Sequence, residues 1–112
     1  MQKEDCIFCK IANSIIPCEF VYETDTLVAF NDINPQAPAH ILIVPKDHYE
    51  DLNEVSSETL LAQLLLAAKE VAKIKNLQEG YRTIINTGKQ SGQEVFHIHV
   101  HVLAGKKLGA LG

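Results

Sequence analysis

The sequence predicts an α+β domain built on a mostly antiparallel sheet. Three observations lead to this class: strand-like and helical segments are segregated rather than alternating, the first two predicted strands are joined by a hairpin-like turn at 24–26, and there is one long amphipathic helix. A chain of 112 residues has room for a single core, so we expect one domain spanning 1–112.

The first half of the chain contains a short predicted helix over 6–13, which ends before Pro17. Three strands are predicted at 20–23, 27–31 and 40–44. The segment 34–38 between the second and third strands is predicted to be a loop, since each proline biases the preceding residue away from the helical region. Pro45 stops the third strand.

The second half is dominated by a long helix. Ser56 and Ser57 are candidate N-caps, and Glu58 lies in the first turn, where a negative charge suits the helix dipole. Apolar residues at helical spacing form one predicted stripe that runs to about Asn76: Leu60, Leu61, Leu64, Leu65, Ala68, Val71 and Ala72. Later segments predict a fourth strand over 81–86, a flexible loop over 88–92 and a fifth strand over 95–103.

Bulk properties exclude several classes of protein. A formal charge of −4 and the lack of a basic run argue against nucleic-acid binding, and Lys106-Lys107 is expected to lie in a solvated tail over 105–112. No apolar run reaches membrane-spanning length, and the N-terminus lacks the apolar stretch of a signal peptide. We therefore expect a cytoplasmic protein, a location that also suits three cysteines without a disulfide framework.

The most informative segment is 97–103, in which three histidines alternate with apolar residues. On a strand, His97, His99 and His101 emerge from one face, while the residues between them fill the opposite face. Three satisfied core histidines would each need a polar partner, and the outer two lie too far apart to share one ion. The pattern favours a catalytic face in which one imidazole is a nucleophile or base and the others orient it.

A second constellation is the Cys-x-x-Cys of Cys6 and Cys9, a spacing that lets two thiolates bind one tetrahedral metal ion. Such a site needs two further ligands, and the candidates are His40, His48, His97, His99 and His101. The alternative is two small buried cysteines beside a surface His48. Cys18 has no evident partner and is predicted to be a small buried apolar residue.

The motif at 97–103 resembles the signature of the histidine triad (HIT) superfamily of nucleotide hydrolases and transferases. The segments that resemble its histidine-triad nucleotide-binding (Hint) branch are 6–11, 30–46, 86–87 and 92–96. The resemblance extends from about residue 5 to about residue 105. It implies a five-stranded sheet with two helices, usually paired into a homodimer with a continuous ten-stranded sheet.

The resemblance also implies a metal site. Zinc-bearing members of the superfamily bind the ion through a Cys-x-x-Cys, a histidine after the central strand and the first triad histidine. Here those positions are Cys6, Cys9, His48 and His97. Zinc with four protein ligands would be structural, since no position is left open for water.

The activity implied is hydrolysis of purine nucleoside 5′-phosphoramidates, with AMP or GMP derivatives as substrates. By resemblance His99 is the nucleophile, and His101 and His40 would stabilise charge on the phosphate oxygens. Glu94 is a candidate for proton transfer to the leaving amine. Hint proteins often carry serine at that position, so the identity of the leaving-group acid stays open.

Candidate nucleotide contacts surround the triad. Asp32 is expected to accept hydrogen bonds from the ribose hydroxyls, because a carboxylate offers several lone pairs to a diol. Phe30 and Ile33 would form apolar walls around the base; the alternative for both is ordinary core packing. The alternative for Asp32 is a turn residue. The phosphate would lie against His99, His101 and a cradle formed by five residues: Asn86, Gly92, Gln93, Glu94 and Val95.

Other functions remain open at this point. A diadenosine polyphosphate hydrolase is disfavoured by the short loop 87–93, and a nucleotidyltransferase by histidine rather than glutamine at His101. The acidic charge disfavours a DNA-end-processing enzyme. A zinc-stabilised nucleotide-binding or scaffold protein with incidental turnover is the alternative from a different class.

Overall fold

One five-stranded antiparallel sheet with a helix on each face forms the structure, a computed structural model that describes residues 2–111. The prediction of an α+β fold is therefore confirmed. In chain order the elements are α1 (Ile7–Ala12), β1 (Tyr22–Glu23), β2 (Leu27–Asn31), β3 (Ala39–Pro45), α2 (Glu58–Ile74), β4 (Arg82–Ile84) and β5 (Val100–Ala104). Short 3₁₀ turns occur at Leu52–Glu54 and Lys89–Ser91.

The strands lie in the order β1-β2-β3-β5-β4, with every neighbouring pair antiparallel. The central strand β3 pairs on one side with β2 and on the other with β5. Leu42 of β3 lies opposite His101, and His40 lies opposite Leu103. This register lays β3 alongside the second half of the histidine motif.

The two faces of the sheet form two separate apolar clusters. The face covered by α2 contains the fully buried Ile98, Val100 and Val102, each of which contributes about 1.5–3 kcal/mol when removed from water. The face covered by α1 contains Phe8, Val28, Phe30, Leu42 and Val44. Residues in 97–102 thus point alternately into the core under α2 and onto the opposite, histidine-bearing face, as the period of two predicts.

The fifth strand begins later than predicted: β5 starts at Val100 rather than at residue 95. Continuing its register with β3 would place Ile98 opposite Pro45, which has no N–H to donate. The Ile98 N–H instead donates to the Tyr49 carbonyl at 2.7 Å. The chain therefore leaves the ladder before Val100 while residues 98–102 keep their alternating faces.

β4 is also shorter than predicted: it was predicted over 81–86 and spans Arg82–Ile84. Ile84 pairs with His101, and the next pair in this register would be Ile85 with Val100, the first residue of β5. The first strand is likewise shorter than predicted, at Tyr22–Glu23. The loop predicted over 88–92 contains the 3₁₀ turn at Lys89–Ser91.

Both helices have defined ends. The Ser57 hydroxyl caps α2 by accepting the Leu60 N–H at 3.1 Å, and the Cys6 thiol occupies the same position in α1. Each helix ends in a Schellman motif around a non-glycine residue with positive φ: Ser14 (62°) after α1 and Asn76 (58°) after α2. Neither helix in the part of the chain that the structure describes is long and apolar enough to cross a membrane.

The predicted apolar stripe of α2 is wrong at Leu65, which is 54% exposed. The side of the helix that meets the sheet is centred on Leu64, Ala68 and Val71, and Leu65 lies about 100° around the helix from Leu64. Ala67, which was not in the predicted stripe, is buried instead. Leu66 and Ile74 are also about half exposed.

Gly105 generates a testable prediction about the fold. Its φ is +98°, and a Cβ built there would lie 2.7 Å from Pro38 Cβ, at the junction of β5 with the loop before β3. We expect Gly105→Ala to lower the free energy of unfolding by about 1–3 kcal/mol in urea denaturation. Gly109→Ala is the matched control, because nothing lies within 4 Å of its added Cβ. Equal stability of the two variants would contradict this account.

Candidate active site and metal cluster

His97 is completely buried and uses both ring nitrogens and its carbonyl group. Its Nε2–H donates to the Pro45 carbonyl oxygen at 2.8 Å, since a carbonyl can only accept. The Nδ1 lone pair consequently points at the thiols of Cys6 and Cys9, with Sγ atoms at 3.3 and 3.4 Å. Burial lowers the pKa of His97 to about 4, so the ring is neutral and available as a ligand.

Four ligand atoms converge at this point: Sγ of Cys6 and Cys9 and Nδ1 of His48 and His97. The two Nδ1 atoms are 3.2 Å apart, and Cys9 Sγ lies 3.4 Å from each of them. Tetrahedral zinc, with bonds of about 2.0–2.3 Å, separates neighbouring ligand atoms by roughly 3.3–3.8 Å. The cluster therefore fits a tetrahedral metal ion, and the four predicted ligands lie together.

The cluster joins three parts of the fold. Cys6 and Cys9 come from the start of α1, His48 follows β3, and His97 precedes β5. An ion bound here would hold α1 against the sheet. Burial raises the pKa of the Cys9 thiol, and the buried His48 Nε2 has no hydrogen-bond partner among the described residues. A bound cation would oppose the first effect, because metal ligation favours the thiolate.

His99 is buried and carries its proton on Nδ1. The Nδ1–H donates to the His97 carbonyl oxygen at 2.8 Å, so Nε2 of the neutral ring has a free lone pair. Burial lowers the pKa of His99, although the bond to His97 and the charge of Asp32 act in the opposite direction. The edge of the ring packs against Phe8, with ring centroids 5.0 Å apart. His99 is thus held as an uncharged imidazole with one nucleophilic nitrogen.

His101 and His40 form a hydrogen-bonded pair beside His99. His40 Nε2 lies 2.9 Å from His101 Nδ1 and 3.4 Å from Asp32 Oδ2. Burial lowers the pKa of both rings, and the nearby His99 and His40 help to bring that of His101 to about 4. Asp32 Oδ1 accepts the Asn34 N–H at 2.9 Å, so this carboxylate is a turn residue as well as a group of the site.

A cavity of about 750 Å³ opens onto these histidines, a volume within the usual range for small-molecule sites. Most of the predicted catalytic and nucleotide-binding residues line it: His40, His99, His101, Phe30, Asp32, Ile33, Asn86, Gly92, Glu94 and Val95. Ile33 is fully exposed at its mouth, whereas Phe30 is also part of the core on the α1 face. The structure therefore brings the predicted residues to one site.

Gln93 is the one predicted contact that does not line the cavity. Its buried carboxamide accepts the Gly88 N–H at 2.8 Å and donates to the carbonyl oxygens of Glu50 and Val95. These bonds connect the loop 88–92 to the segment at Glu50 and to Val95. The side chain of Gln93 thus shapes the loop that presents Gly92 and Glu94 to the cavity.

Sequence reasoning missed one wall of the cavity, which is apolar: Ile7, Ile11, Ile16 and Pro17. Ile7 and Ile11 are four residues apart and lie on the same side of α1. Ile7 is 51% exposed, an unusual setting for isoleucine in so short a helix. The sequence did contain a signal for this wall: α1 has apolar residues on two sides, whereas packing onto the core requires only one.

The prediction that Cys18 is buried is wrong. Its side chain is exposed and lines the same cavity, within a stretch, 17–19, whose residues are all exposed. Cys6, Cys9 and Cys18 are all free thiols.

This combination of fold and site defines a class of protein. The HIT domain model matches residues 13–108, and the chain belongs to that family.

The chain is similar to a purine nucleoside phosphoramidase of Escherichia coli, with 44% identity over 96% of this chain and 93% of the relative. Among solved structures, a histidine triad protein from Clostridium difficile is 48% identical, covers 100% of both chains and superposes with a TM-score of 0.94. A HIT family hydrolase from Legionella pneumophila is 44% identical over 94% of this chain and 96% of its own, with a TM-score of 0.89. The prediction of a HIT-family hydrolase is confirmed at that level.

The lowered pKa of His101 predicts how stability depends on pH. Between its folded pKa of about 4 and its ordinary value of 6.5, the unfolded chain binds a proton that the native ring does not. The free energy of unfolding therefore rises with pH across this window, by up to about 1.4 kcal/mol per pH unit for one proton. We expect His101→Asn to reduce that slope in urea unfolding measured at several pH values. A variant with the wild-type slope would contradict the assignment.

Proposed function

We propose that this chain hydrolyses purine nucleoside 5′-phosphoramidates to nucleoside monophosphates, with His99 as the nucleophile. The observation that carries the proposal is the 2.8 Å bond from His99 Nδ1–H to the His97 carbonyl oxygen. That bond leaves Nε2 unprotonated on a neutral ring at the cavity. The relative named as a purine nucleoside phosphoramidase supports the substrate class.

In the proposed first step, His99 Nε2 attacks the α-phosphorus. The P–Nε2 bond forms as the P–N bond to the leaving amine breaks, and the amine departs with a proton. In the second step water attacks the same phosphorus, the P–Nε2 bond breaks and the monophosphate is released. The phosphorus chemistry is thereby divided into two displacements, each of which is easier than direct hydrolysis.

Other residues have supporting roles in this proposal. His101 and His40 lie beside His99 and would stabilise charge on the phosphate oxygens. Glu94 is exposed at the cavity and is the candidate for proton transfer to the leaving amine. Gly92 has φ of 96°, which lets the backbone approach a phosphate without a side chain in the way.

The nucleoside would occupy the apolar end of the cavity. Phe30 and Ile33 provide walls for the base, and Asp32 keeps Oδ2 partly available for the ribose hydroxyls, since its Oδ1 is engaged in the turn. Asn86 and Val95 lie near the triad, where the phosphate would be. An acidic chain with these contacts recognises a single nucleotide rather than a nucleic acid.

We propose that the four-ligand cluster binds zinc. Two thiolates and two imidazoles are a set that suits zinc, and their separations suit tetrahedral geometry. The ion would supply structural support and not a bound water, because all four positions are taken by protein ligands. Three free cysteines in such a protein also support a cytoplasmic location.

A homodimer is also part of the proposal. β4 is an edge strand of the sheet, and Leu65 and Leu66 of α2 are each 54% exposed. An unpaired strand edge and exposed leucines are both features that a second copy can cover, by strand pairing and by helix packing. This arrangement would produce the ten-stranded sheet that the family resemblance implies.

The proposed activity predicts release of AMP from adenosine 5′-phosphoramidate by the purified protein. We expect His99→Ala to lower kcat by at least about 1000-fold, because the first displacement uses the Nε2 lone pair and the second requires the P–Nε2 bond formed by it. Rapid-quench mass spectrometry of the wild type should detect one nucleotidyl adduct that His99→Ala lacks.

Diadenosine polyphosphates are the comparison substrate in this assay. The proposal fails if they are cleaved and the phosphoramidate is not, or if AMP binds and neither compound is hydrolysed. The first result would identify a dinucleotide hydrolase, and the second would identify a nucleotide-binding protein.

The metal proposal predicts about one zinc ion per chain by elemental analysis. Cys9→Ser should lose the ion and lower Tm by roughly 5 °C or more, since α1 would then be released from the sheet. Cys18→Ser is the matched control, because its exposed thiol lies outside the cluster. Unchanged zinc content in Cys9→Ser would refute the assignment.

A further inference from the structure

A chain of hydrogen bonds begins at the backbone of the loop between β2 and β3 and ends at the cavity. The Gln36 N–H donates to His40 Nδ1 at 3.0 Å. A neutral imidazole carries one proton, and the nitrogen that accepts a hydrogen bond from an N–H is the one without it. The proton of His40 is therefore on Nε2.

The tautomer of His40 then determines that of His101. His40 Nε2 is 2.9 Å from His101 Nδ1, and a second proton between these atoms would place two donors head to head. His101 Nδ1 must accept, with Asp32 Oδ2 at 3.4 Å from His40 Nε2 as a second acceptor. The proton of neutral His101 is consequently on Nε2, the nitrogen farther from His40.

The position of the Gln36 N–H is itself fixed by His40. His40 bonds twice to the loop 32–39 that precedes it. Its carbonyl oxygen accepts the Asp32 N–H at 2.9 Å, and its ring accepts the Gln36 N–H. Asn34 closes a turn onto the Asp32 carboxylate within the same loop. His40 is only 5% exposed, so water cannot readily replace the Gln36 N–H as its partner.

We propose that the backbone N–H of Gln36 is a positioning group that fixes His101 as an Nε2–H donor toward the cavity, acting through His40. The proposal rests on the proposed function, in which an anionic phosphate lies against His101. His99 has the opposite tautomer, with its proton on Nδ1. Two adjacent rings, with centroids 4.8 Å apart, thus present a lone pair and an N–H donor while both are uncharged.

The same tautomer bears on a second cluster of potential metal ligands within the described residues, Asp32, His40 and His101. A metal ion could bind His40 Nε2 only if the proton moved to Nδ1. It would there face the Gln36 N–H at 3.0 Å, donor against donor. The arrangement favours a proton-ordered pair over a metal site at this position.

The tautomers can be read directly from wild-type protein, purified with its metal and labelled with ¹⁵N-histidine. Long-range ¹H–¹⁵N correlation at neutral pH distinguishes protonated from unprotonated ring nitrogens, and His99→Asn and His101→Asn assign the signals. We expect Nε2–H for His40 and His101 and Nδ1–H for His99. Nδ1–H on His101, or a mixture of its two tautomers, would overturn the proposal. No substrate is needed, so absence of phosphoramidate turnover leaves this test unaffected.

Gln36→Pro removes the N–H, and Gln36→Ala removes only the side chain. Relative to Gln36→Ala, we expect Gln36→Pro to mix the tautomers of His40 and His101 and to lower kcat up to about tenfold with little change in KM. If Gln36→Pro kept both the wild-type tautomers and the kcat of Gln36→Ala, the N–H would have no positioning role. The wild-type spectra decide the tautomer assignment even if Gln36→Pro does not fold.

Discussion

The hydrogen bond from His97 Nε2–H to the Pro45 carbonyl oxygen is the contact on which the rest of the site depends. It binds the end of β3 to the segment before β5 at the point where the sheet ladder stops. It also turns the His97 Nδ1 lone pair toward the thiols. The carbonyl group of His97 then holds the proton of His99 on Nδ1. One buried residue therefore orients both the candidate metal site and the proposed nucleophile.

Burial determines the charge state of the histidines in this site. The pKa values of His40, His97, His99 and His101 are all lowered, and in each case burial is the largest cause. Hydrogen bonds rather than charges then distinguish the rings from one another, because each neutral ring has one donor and one acceptor nitrogen. Two carbonyl groups and one backbone N–H determine which ring nitrogen carries the proton. The chemistry of the histidine face is set by groups that carry no charge themselves.

Sequence reasoning predicted the face of each residue in 97–102 correctly, although the strand there is shorter than predicted. Side-chain alternation depends on extended backbone, which persists outside the ladder. The four cysteine and histidine residues of the candidate metal site were predicted together, through their residue types and the family resemblance, and the structure brings them together. Gln93 was expected at the phosphate, but a carboxamide can donate and accept, and here it bonds to the backbone instead. Leu65 was expected in the core, but helical spacing does not say which side of the helix meets the sheet. The Gln36 N–H was invisible, since every residue except proline has one.

Helix α1 has only six residues, yet its sides face three different neighbours. Phe8 packs against His99, Cys9 belongs to the metal cluster, and Ile7 lines the cavity. Inserting one residue would rotate everything beyond it by about 100° around the helix axis, so no side chain would keep its neighbour. A point substitution alters one of these contacts, whereas a change in length displaces several of them together. The number of residues in this short helix is therefore as strongly constrained as their identity.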